Sequence, residues 1–142
     1  HFTYCTIVLT SLLSSSLPPK PPTMATVSCI CGQVKFCFPI SKVPRVHSLC
    51  CCDDCQRRIK FLEGKGGTPL DTANAIEVAN FEDQIQFVKG QQNRLFFFRL
   101  REETNMINVA SACCGSFLCA RNTDFHGNAV ATLPQYAIVD SE

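Results

Sequence analysis

The stretch Cys50-Cys51-Cys52-Asp53-Asp54-Cys55 is the densest group of metal-binding side chains in this chain of 142 residues. Cysteine thiolates bind zinc strongly, and ligands that are close in sequence leave little loop entropy to overcome. Cys50 and Cys52 alternate, so they point to the same side if the segment is extended. Cys55 follows Cys52 at a spacing that lets a tight turn present two sulfurs to one ion. The stretch therefore predicts a metal site built from Cys50, Cys52 and Cys55.

Two further cysteine groups lie far from this stretch in the sequence. One is Cys29-Ile30-Cys31-Gly32, in which Cys29 and Cys31 again alternate, and the other is Cys113-Cys114-Gly115. Because the three groups occupy separate stretches of the chain, folding can bring them together in pairs or leave them apart. Three clusters of this kind can build two metal sites.

The number and spacing of the cysteines favour metal over disulfides. The chain has 11 cysteines, an odd number, and eight of them lie in the three groups. Disulfide frameworks usually have even counts and dispersed spacing in secreted chains, and neighbouring cysteines rarely meet disulfide geometry with each other. Reduced thiols, and hence a cytoplasmic location, follow from this choice. A secreted disulfide protein is the alternative.

The composition is that of one folded domain without a strongly charged surface. The hydrophobic fraction is 46%, the net charge is +1, and 11 Phe supply the aromatic packing in the absence of Trp. No nucleic-acid or membrane partner is expected from this charge. Residues 1–23 hold an apolar run, too short to span a membrane, and then four prolines; they are expected to be a flexible extension. The domain is expected at residues 24–142, with a signal sequence as the alternative interpretation of the apolar run.

Ten short strands are expected along the domain, from runs of β-branched and aromatic residues between turn residues. Their predicted ranges are 27–29, 33–40, 46–49, 75–78, 84–88, 95–100, 107–110, 116–120, 129–133 and 136–139. One or two helical turns are expected at 56–63, and no long segment keeps a helical period. Many short strands with frequent turns predict an all-β domain of small antiparallel sheets packed on each other, with metals pinning the loops.

Several conspicuous residues have ordinary structural interpretations. The stretch Phe96-Phe97-Phe98 predicts a core strand. The basic residues Arg57, Arg58 and Lys60 predict a solvated surface, with the binding of an anionic substrate as the alternative. His47 and His126 are isolated and are not expected to be ligands.

The cysteines outside the predicted sites also receive a structural interpretation. Cys37 and Cys119 lie in apolar strands and are predicted to be core residues. Cys51 points away from Cys50 and Cys52 if the segment is extended, so it is predicted to be packed or free.

The combined order of the cysteine groups resembles the family of glutathione-dependent formaldehyde-activating enzymes, which also includes the centromere protein V group. The matching pieces are Ser28-Cys29-Ile30-Cys31-Gly32-Gln33-Val34, Cys50-Cys51-Cys52-Asp53-Asp54-Cys55-Gln56-Arg57 and Cys114-Gly115-Ser116, and Gly127-Asn128-Ala129-Val130 with Pro134 is similar to the family's closing strand region. The resemblance covers roughly residues 26–140, and the three-cluster combination is more specific than any one cluster.

This resemblance implies a small β-tent-like domain that binds two zinc ions. It implies a closed structural site from Cys29, Cys31 and Cys114, and an open site from Cys50, Cys52 and Cys55. It also implies glutathione, or a similar small thiol, as a partner. Arg57 and Asp54 are candidates to orient such a thiol, although turn capping is the favoured role for Asp54. The implied reaction is the formation or cleavage of S-hydroxymethylglutathione, which belongs to the carbon–sulfur lyases.

The chain departs from the family pattern at two positions. The family's later motif would place a cysteine at position 111, where this chain has Ser111, and Cys51 stands where the family usually has histidine. Adjacent residues on an extended strand point to opposite faces, so Cys113 and Cys114 are expected to diverge unless the loop bends. The first site is therefore left with three alternatives: Cys113 as the fourth ligand, water in its place, or weakened affinity.

Two function classes follow from these observations. The first is a zinc-dependent carbon–sulfur lyase, because three thiolates leave a metal position free for an outside thiol. The second is a non-catalytic, zinc-stabilised interaction module of the centromere protein V type. The acidic end of the chain, Val139-Asp140-Ser141-Glu142, disfavours the second class, since a basic tail would be expected there.

Overall fold

The computed structural model describes residues 24–39, 47–71, 73, 75–82, 86–89, 92–122 and 129–141. The predicted extension at residues 1–23, the histidine His126 and the Gly127-Asn128 part of the family resemblance lie outside the described residues. The described part confirms the predicted all-β fold class, with two antiparallel sheets and one short helix.

The described residues form ten strands and one α-helix. They are β1 (Met24–Ser28), β2 (Lys35–Pro39), β3 (His47–Cys50), α1 (Asp53–Glu63), β4 (Ile76–Glu82), β5 (Gln86–Lys89), β6 (Leu95–Phe98), β7 (Ile107–Ser111), β8 (Phe117–Arg121), β9 (Ala129–Thr132) and β10 (Ile138–Ser141). A short 3-10 helix, Gln92–Arg94, precedes β6. Most strand ends lie within about two residues of the predicted ends. The exceptions are the start of β1, three residues earlier, and the end of β4, four residues later.

The strands are arranged in two sheets. The smaller sheet has the order β10-β1-β2-β5, and the larger sheet has the order β3-β4-β9-β8-β7-β6. In β1 the side chains alternate between buried and half-buried, with Ala25 and Val27 on the buried face, as expected for a strand with one face on the core. Phe38 of the smaller sheet stacks on Phe81 of the larger sheet at 5.1 Å between ring centroids, so aromatic contacts join the two sheets.

The helix α1 is longer than the sequence analysis predicts. It has 11 residues and begins at Asp53, three residues before the predicted start. Asp53 and Asp54 in the first turn favour this start, because carboxylates interact well with the positive end of the helix dipole. Its buried face consists of Cys55, Arg58, Ile59 and Leu62, which have the i, i+3, i+4, i+7 spacing of an amphipathic helix.

The interpretation of Phe96-Phe97-Phe98 as a core strand is only partly correct, because Phe96 and Phe98 are half-buried against the core and Phe97 is exposed. In the described sheet β6 is the strand at one end, and Phe97 has 63% of its surface exposed. Phe96 and Phe98 pack on the opposite face against the helix side of the core, where Phe98 lies 4.6 Å from the Phe61 ring. The difference follows from strand alternation, because neighbours on a strand cannot face the same side.

Candidate metal centres

The first candidate centre combines two turns that are distant in sequence; we call it the four-cysteine cluster. Cys29 and Cys31 lie in the turn that joins β1 to β2, and Cys113 and Cys114 lie in the turn that joins β7 to β8. The four Sγ atoms all lie within 4.8 Å of one another, so the cluster could hold a metal ion. Three of its members, Cys29, Cys31 and Cys114, are those that the family resemblance assigns to the first site, and Cys113 is one of the three alternatives for the fourth position.

The sulfur–sulfur distances fit one tetrahedral ion. The Sγ atom of Cys29 lies 3.5 Å from that of Cys31 and 3.7 Å from that of Cys113. The Cys31–Cys113 distance is 3.2 Å, and the Cys113–Cys114 distance is 4.0 Å. Four sulfurs around one zinc at the usual bond length would be about 3.8 Å apart. These distances exceed a disulfide bond length, and the ten described cysteines are all free thiols.

The expected divergence of Cys113 and Cys114 does not occur, because the chain at 112–114 forms a turn and is not extended. The Ser111 N–H donates to the Ser116 carbonyl at 2.9 Å, and the Gly115 N–H donates to the Ser111 carbonyl at 3.0 Å. Gly115 has a positive φ of +64°, which lets the chain close this turn. The turn brings both sulfurs to the cluster, so Cys113 supplies the fourth sulfur that position 111 lacks.

Ser111 and Ser116 surround one sulfur of the cluster. Their Oγ atoms lie 3.3 Å and 3.1 Å from the Cys114 Sγ atom. The Ser116 Oγ also accepts from the Ile30 N–H at 3.0 Å, which joins the two turns. Burial alone raises the pKa of Cys114, but the hydrogen bonds of Ser111 and Ser116 outweigh it and lower this pKa to about 6. Ser111 therefore stabilises a neighbouring thiolate and is not itself a member of the cluster.

Two other thiols of the cluster, Cys29 and Cys113, have raised pKa values. Burial raises the pKa of Cys113 to about 12, and hydrogen bonding to Cys31 adds to the effect. Burial also raises the pKa of Cys29, although the Val34 N–H donates to its sulfur at 3.2 Å and acts in the other direction. These shifts describe the metal-free thiols. A metal ion that binds here must displace protons from them, so its affinity depends on pH.

The second candidate centre is built from one continuous stretch; we call it the three-cysteine cluster. Cys50 ends β3, Cys52 is the N-cap residue of α1, and Cys55 lies in the first turn of that helix. The three Sγ atoms lie within 4.8 Å of one another, and those of Cys50 and Cys52 are 3.1 Å apart. Three cysteines could hold a metal ion with one coordination position left for another ligand.

A buried arginine contacts this cluster. Arg58 lies one turn after Cys55 on the buried face of α1 and donates from Nη1 to the Cys55 Sγ atom at 3.4 Å. Burial raises the pKa of Cys55 to about 12, although the positive charge of Arg58 acts to lower it. Burial also acts to raise the pKa of Cys52, but hydrogen bonds from Cys50 and from backbone N–H groups outweigh it and lower this pKa below its ordinary value.

A cavity of about 380 Å³ opens beside the three-cysteine cluster. All three cysteines of the cluster contribute to its wall, together with Arg58. The remaining lining residues are Ser48, Leu49, Asp54, Val78, Asn80, Met106, Ala120, Ala131 and Leu133, most of them apolar. This volume lies within the range of small-molecule sites in proteins, which are typically apolar with a few placed polar groups.

The other residues named by the sequence analysis lie around these centres. Arg57 is exposed on α1 and is not part of the cavity wall, so its role in thiol binding stays a prediction. Asp54 forms an ion pair with Arg101. Cys51 is exposed and lies outside both clusters, and Cys119 is buried, as predicted. Cys37 is half-buried, which is less than predicted for a core residue.

Arg58 is the site residue that the sequence analysis missed. The expectation of a solvated basic segment is wrong for Arg58, whose side chain is 5% exposed. Its charge lies 5.2 Å from the centre of the Phe117 ring, a cation–π arrangement. The i, i+3, i+4, i+7 pattern from Cys55 to Leu62 is the signal that could have found it, because this pattern places Arg58 on the same helix face as Cys55.

No family model, curated protein or solved structure matches this chain. The resemblance to the glutathione-dependent formaldehyde-activating enzymes therefore stays a prediction. None of the helices among the described residues has the length and apolar character needed to cross a bilayer.

Proposed function

We propose that both clusters bind zinc and that they have different roles. In this proposal the four-cysteine cluster is a closed structural site, and the three-cysteine cluster is an open site that accepts an outside thiol. The chemistry of the donors supports zinc, since all-thiolate sites are typical of this ion. The number of sulfurs in each cluster supports the division of roles, because structural zinc sites usually have four protein ligands and catalytic sites three.

We further propose a zinc-dependent carbon–sulfur lyase activity on an adduct of a small thiol, such as glutathione, with formaldehyde. The observation that carries this proposal is the position of the three-cysteine cluster in the wall of a 380 Å³ cavity. A structural site has no need of such a space, whereas a thiol substrate must reach an open ligand position. The resemblance of the cysteine spacing to the formaldehyde-activating family adds the identity of the aldehyde.

The chain's own residues would act as follows. Cys50, Cys52 and Cys55 hold the ion, and Arg58 donates a hydrogen bond to the Cys55 sulfur, which orients that ligand. Zinc at such a site lowers the pKa of a thiol that binds in the open position. The cavity wall then confines the thiol and the aldehyde next to each other.

The bond changes of the proposed reaction are simple. The thiolate sulfur of the substrate forms a bond to the carbonyl carbon of formaldehyde, the carbonyl electron pair moves to the oxygen, and the oxygen takes up a proton from water. Cleavage of the adduct runs through the same changes in reverse. Since no side chain of the cluster needs to become covalently attached, no catalytic residue beyond the zinc ligands is proposed.

The test is a rate measurement on the zinc-loaded chain. Exchange between ¹³C-formaldehyde and its glutathione adduct can be followed by NMR exchange spectroscopy, with buffer and the Cys52→Ser variant as controls. We expect the wild-type chain to accelerate the exchange and the variant to match buffer. If the zinc-loaded wild type gives no acceleration, the enzyme proposal is wrong and a non-catalytic zinc module of the centromere protein V type replaces it.

A further inference from the structure

We propose that Cys52 and Cys55 form a reversible disulfide when the three-cysteine cluster holds no metal, and that this pair exchanges with small-molecule disulfides. The activity goes beyond the proposed zinc chemistry and does not require the lyase reaction. It assigns a second, oxidised state to two sulfurs of the cluster, and zinc binding and the disulfide exclude each other.

The first support is the position of the two cysteines on the helix. The stretch Cys52-Asp53-Asp54-Cys55 places two residues between them, with Cys52 as the N-cap residue of α1 and Cys55 in its first turn. Their Sγ atoms lie within 4.8 Å of each other. A C-x-x-C pair of this kind is the spacing of thiol–disulfide oxidoreductases. The two sulfurs are therefore close enough for a disulfide to form by local adjustment of one turn.

The second support is the difference in exposure between the two sulfurs. Cys52 is exposed, whereas Cys55 has 7% of its surface exposed. Disulfide exchange proceeds by attack of an accessible thiolate, which forms a mixed disulfide, and then by attack of a second sulfur that resolves it. An outside disulfide reaches Cys52 first, so Cys52 is the attacking sulfur and Cys55 is the resolving sulfur.

The third support is the cavity of about 380 Å³ beside the pair. Cys52 and Cys55 both contribute to its wall, together with apolar residues such as Leu49 and Met106. A small group bonded to Cys52 can therefore occupy this space next to the resolving sulfur. This enclosure favours a small-molecule disulfide as the partner.

The contact with Arg58 favours the reduced form of the pair. Arg58 is buried and donates from Nη1 to the Cys55 sulfur at 3.4 Å. A negatively charged sulfur attracts this guanidinium, whereas a disulfide sulfur carries no charge. Interactions that stabilise the reduced form make a disulfide easier to reduce, which is typical of catalytic and regulatory disulfides. We therefore expect a disulfide that forms and is reduced again in ordinary thiol buffers.

The bond changes balance without a further reactant. Cys52 gives its proton to water, its sulfur attacks one sulfur of the small disulfide, and the first small thiolate leaves with the electron pair of the broken bond. Cys55 passes its proton to that thiolate, and its sulfur then attacks the Cys52 sulfur and expels the second small thiolate, which takes a proton from water. Two cysteine thiols are oxidised, and one small disulfide is reduced to two thiols.

The experiment equilibrates the full chain with several ratios of 2-mercaptoethanol to 2-hydroxyethyl disulfide, once with a chelator and once with excess zinc. Acid quenching, alkylation and fragment mass spectrometry then locate any disulfide. With the chelator we expect a Cys52–Cys55 disulfide whose fraction rises with the share of disulfide in the buffer. Excess zinc should lower this fraction about tenfold, because zinc binds the same thiolates.

Three variants test the roles of the residues. Cys55→Ser should trap a mixed disulfide between Cys52 and 2-mercaptoethanol, since the resolving sulfur is absent. Arg58→Met should shift the equilibrium toward the disulfide by about tenfold, as expected for the loss of a hydrogen bond to a charged group. Cys51→Ser is the matched control, because it removes an exposed sulfur outside the cluster and should change neither result.

The outcomes separate this inference from the proposed function. A disulfide that joins Cys50 to Cys52, or mixed disulfides alone in the wild type, would overturn the inference and leave the zinc proposal in place. A disulfide that zinc does not suppress would contradict the shared site. Should circular dichroism show that the chelated chain unfolds, the zinc-loaded chain decides: excess 2-hydroxyethyl disulfide must release one zinc ion and produce the same Cys52–Cys55 disulfide, and its absence would refute the inference.

Discussion

The two cysteine clusters contain the same kind of ligand but differ in the length of chain that they join. In the four-cysteine cluster, Cys29 contacts Cys113 across a sequence separation of 84 residues. The three-cysteine cluster lies within the six residues from Cys50 to Cys55. Joining distant segments removes much more entropy from the unfolded chain than joining near neighbours does. We therefore expect a metal ion at the four-cysteine cluster to stabilise the fold more than one at the three-cysteine cluster.

The clusters also differ in what surrounds them. Hydrogen bonds to Ser111 and Ser116 enclose the Cys114 sulfur, whereas a cavity and the buried Arg58, which donates to the Cys55 sulfur, lie beside the three-cysteine cluster. The surroundings of the first cluster are filled by the chain itself, whereas the second cluster borders a cavity that a ligand could enter. The comparison teaches that sulfur count alone does not separate a structural site from a reactive one. The sequence separation of the ligands and the groups around them both favour a structural role for the four-cysteine cluster and an open site at the three-cysteine cluster.

The largest difference is expected between the variants Cys29→Ser and Cys52→Ser. Cys29 is fully buried, so Cys29→Ser should remove the zinc that joins β1 to the β7–β8 turn and lower the free energy of unfolding by about 4 kcal/mol or more. Cys52→Ser should lower it by about 1 kcal/mol, because it opens a local site whose Cys52 is exposed. Denaturant unfolding measures the free energies, and metal analysis should find two zinc ions per chain in the wild type and one in Cys52→Ser.

The inferred difference between the clusters would be wrong if Cys29→Ser and Cys52→Ser lowered the free energy of unfolding by the same amount. It would be wrong as well if Cys52→Ser lost both ions, since the two sites would then depend on each other. A mild chelator should remove zinc from the three-cysteine cluster first, because that cluster has fewer protein ligands. Metal analysis after chelation measures this order.

A smaller difference in stability is expected between alanine substitutions at two glycines that both have positive φ. Gly115 and Gly32 both have positive φ, but a Cβ at Gly115 would lie 2.6 Å from the Gly67 nitrogen, whereas one at Gly32 meets nothing within 4 Å. Gly32→Ala should therefore cost only the backbone term, about 1–2 kcal/mol, and Gly115→Ala should cost about 3 kcal/mol. Denaturant unfolding of the zinc-loaded variants measures both. Equal costs would show that the contact between the Gly115 turn and the segment after α1 does not matter.

Much of this fold could be predicted because its signals are local. Alternating apolar residues locate most of the ten strands, and the cysteine spacing groups Cys50, Cys52 and Cys55. The grouping of Cys113 with Cys29, Cys31 and Cys114 is one of three alternatives for the first site.

The predicted start of α1 is wrong because the alternating Cys50 and Cys52 indicate an extended segment, whereas Asp53 and Asp54, acidic residues in the first turn, indicate the start of a helix. The missed start hides the fact that Cys55 and Arg58 share one helix face.

The remaining features depend on contacts that have no local signal. The turn that lets Cys113 and Cys114 both reach the cluster depends on Gly115, whose backbone packs closely against Gly67, nearly fifty residues earlier. The cavity wall likewise combines β3, β4, β8 and β9 with the helix, so its members are distant in sequence. Contacts between residues so distant in sequence can be identified only once the arrangement of the sheets is known.

A still smaller effect concerns the pH at which the four-cysteine cluster loses its metal. In the metal-free cluster burial acts to raise the pKa of Cys114, but hydrogen bonds lower it to about 6, so this ligand is mostly a thiolate at neutral pH, unlike Cys29 and Cys113, whose pKa values are raised. Ser111→Ala removes one of the hydrogen bonds that lower this pKa, which should rise. The midpoint of zinc release should then move to higher pH, by about half a unit. A zinc-sensitive dye during acid titration measures it.

The three-cysteine cluster provides the internal control for this titration. Ser111 contacts Cys114 and not the other centre, so zinc release from the three-cysteine cluster should keep its midpoint in Ser111→Ala. Ser111 also accepts from the Ser116 N–H at 3.1 Å, so circular dichroism must show that the variant is folded over the range used. A midpoint that moves to lower pH would contradict the direction of the pKa shift.

The smallest effect is expected from Cys51→Ser, which tests whether membership of the three-cysteine cluster depends on position or merely on the presence of sulfur. Cys51 is exposed and lies outside the cluster, although its neighbours Cys50 and Cys52 both belong to it. Cys51→Ser should therefore keep two zinc ions per chain and leave stability within about 0.5 kcal/mol of the wild type. Cys51 could nevertheless replace a missing ligand, so Cys52→Ser should be compared with the double variant Cys51→Ser, Cys52→Ser. If Cys52→Ser kept two zinc ions and the double variant kept one, Cys51 would be a substitute ligand in the three-cysteine cluster. The contrast between a closed and an open site would then rest on Cys55 and its contact with Arg58.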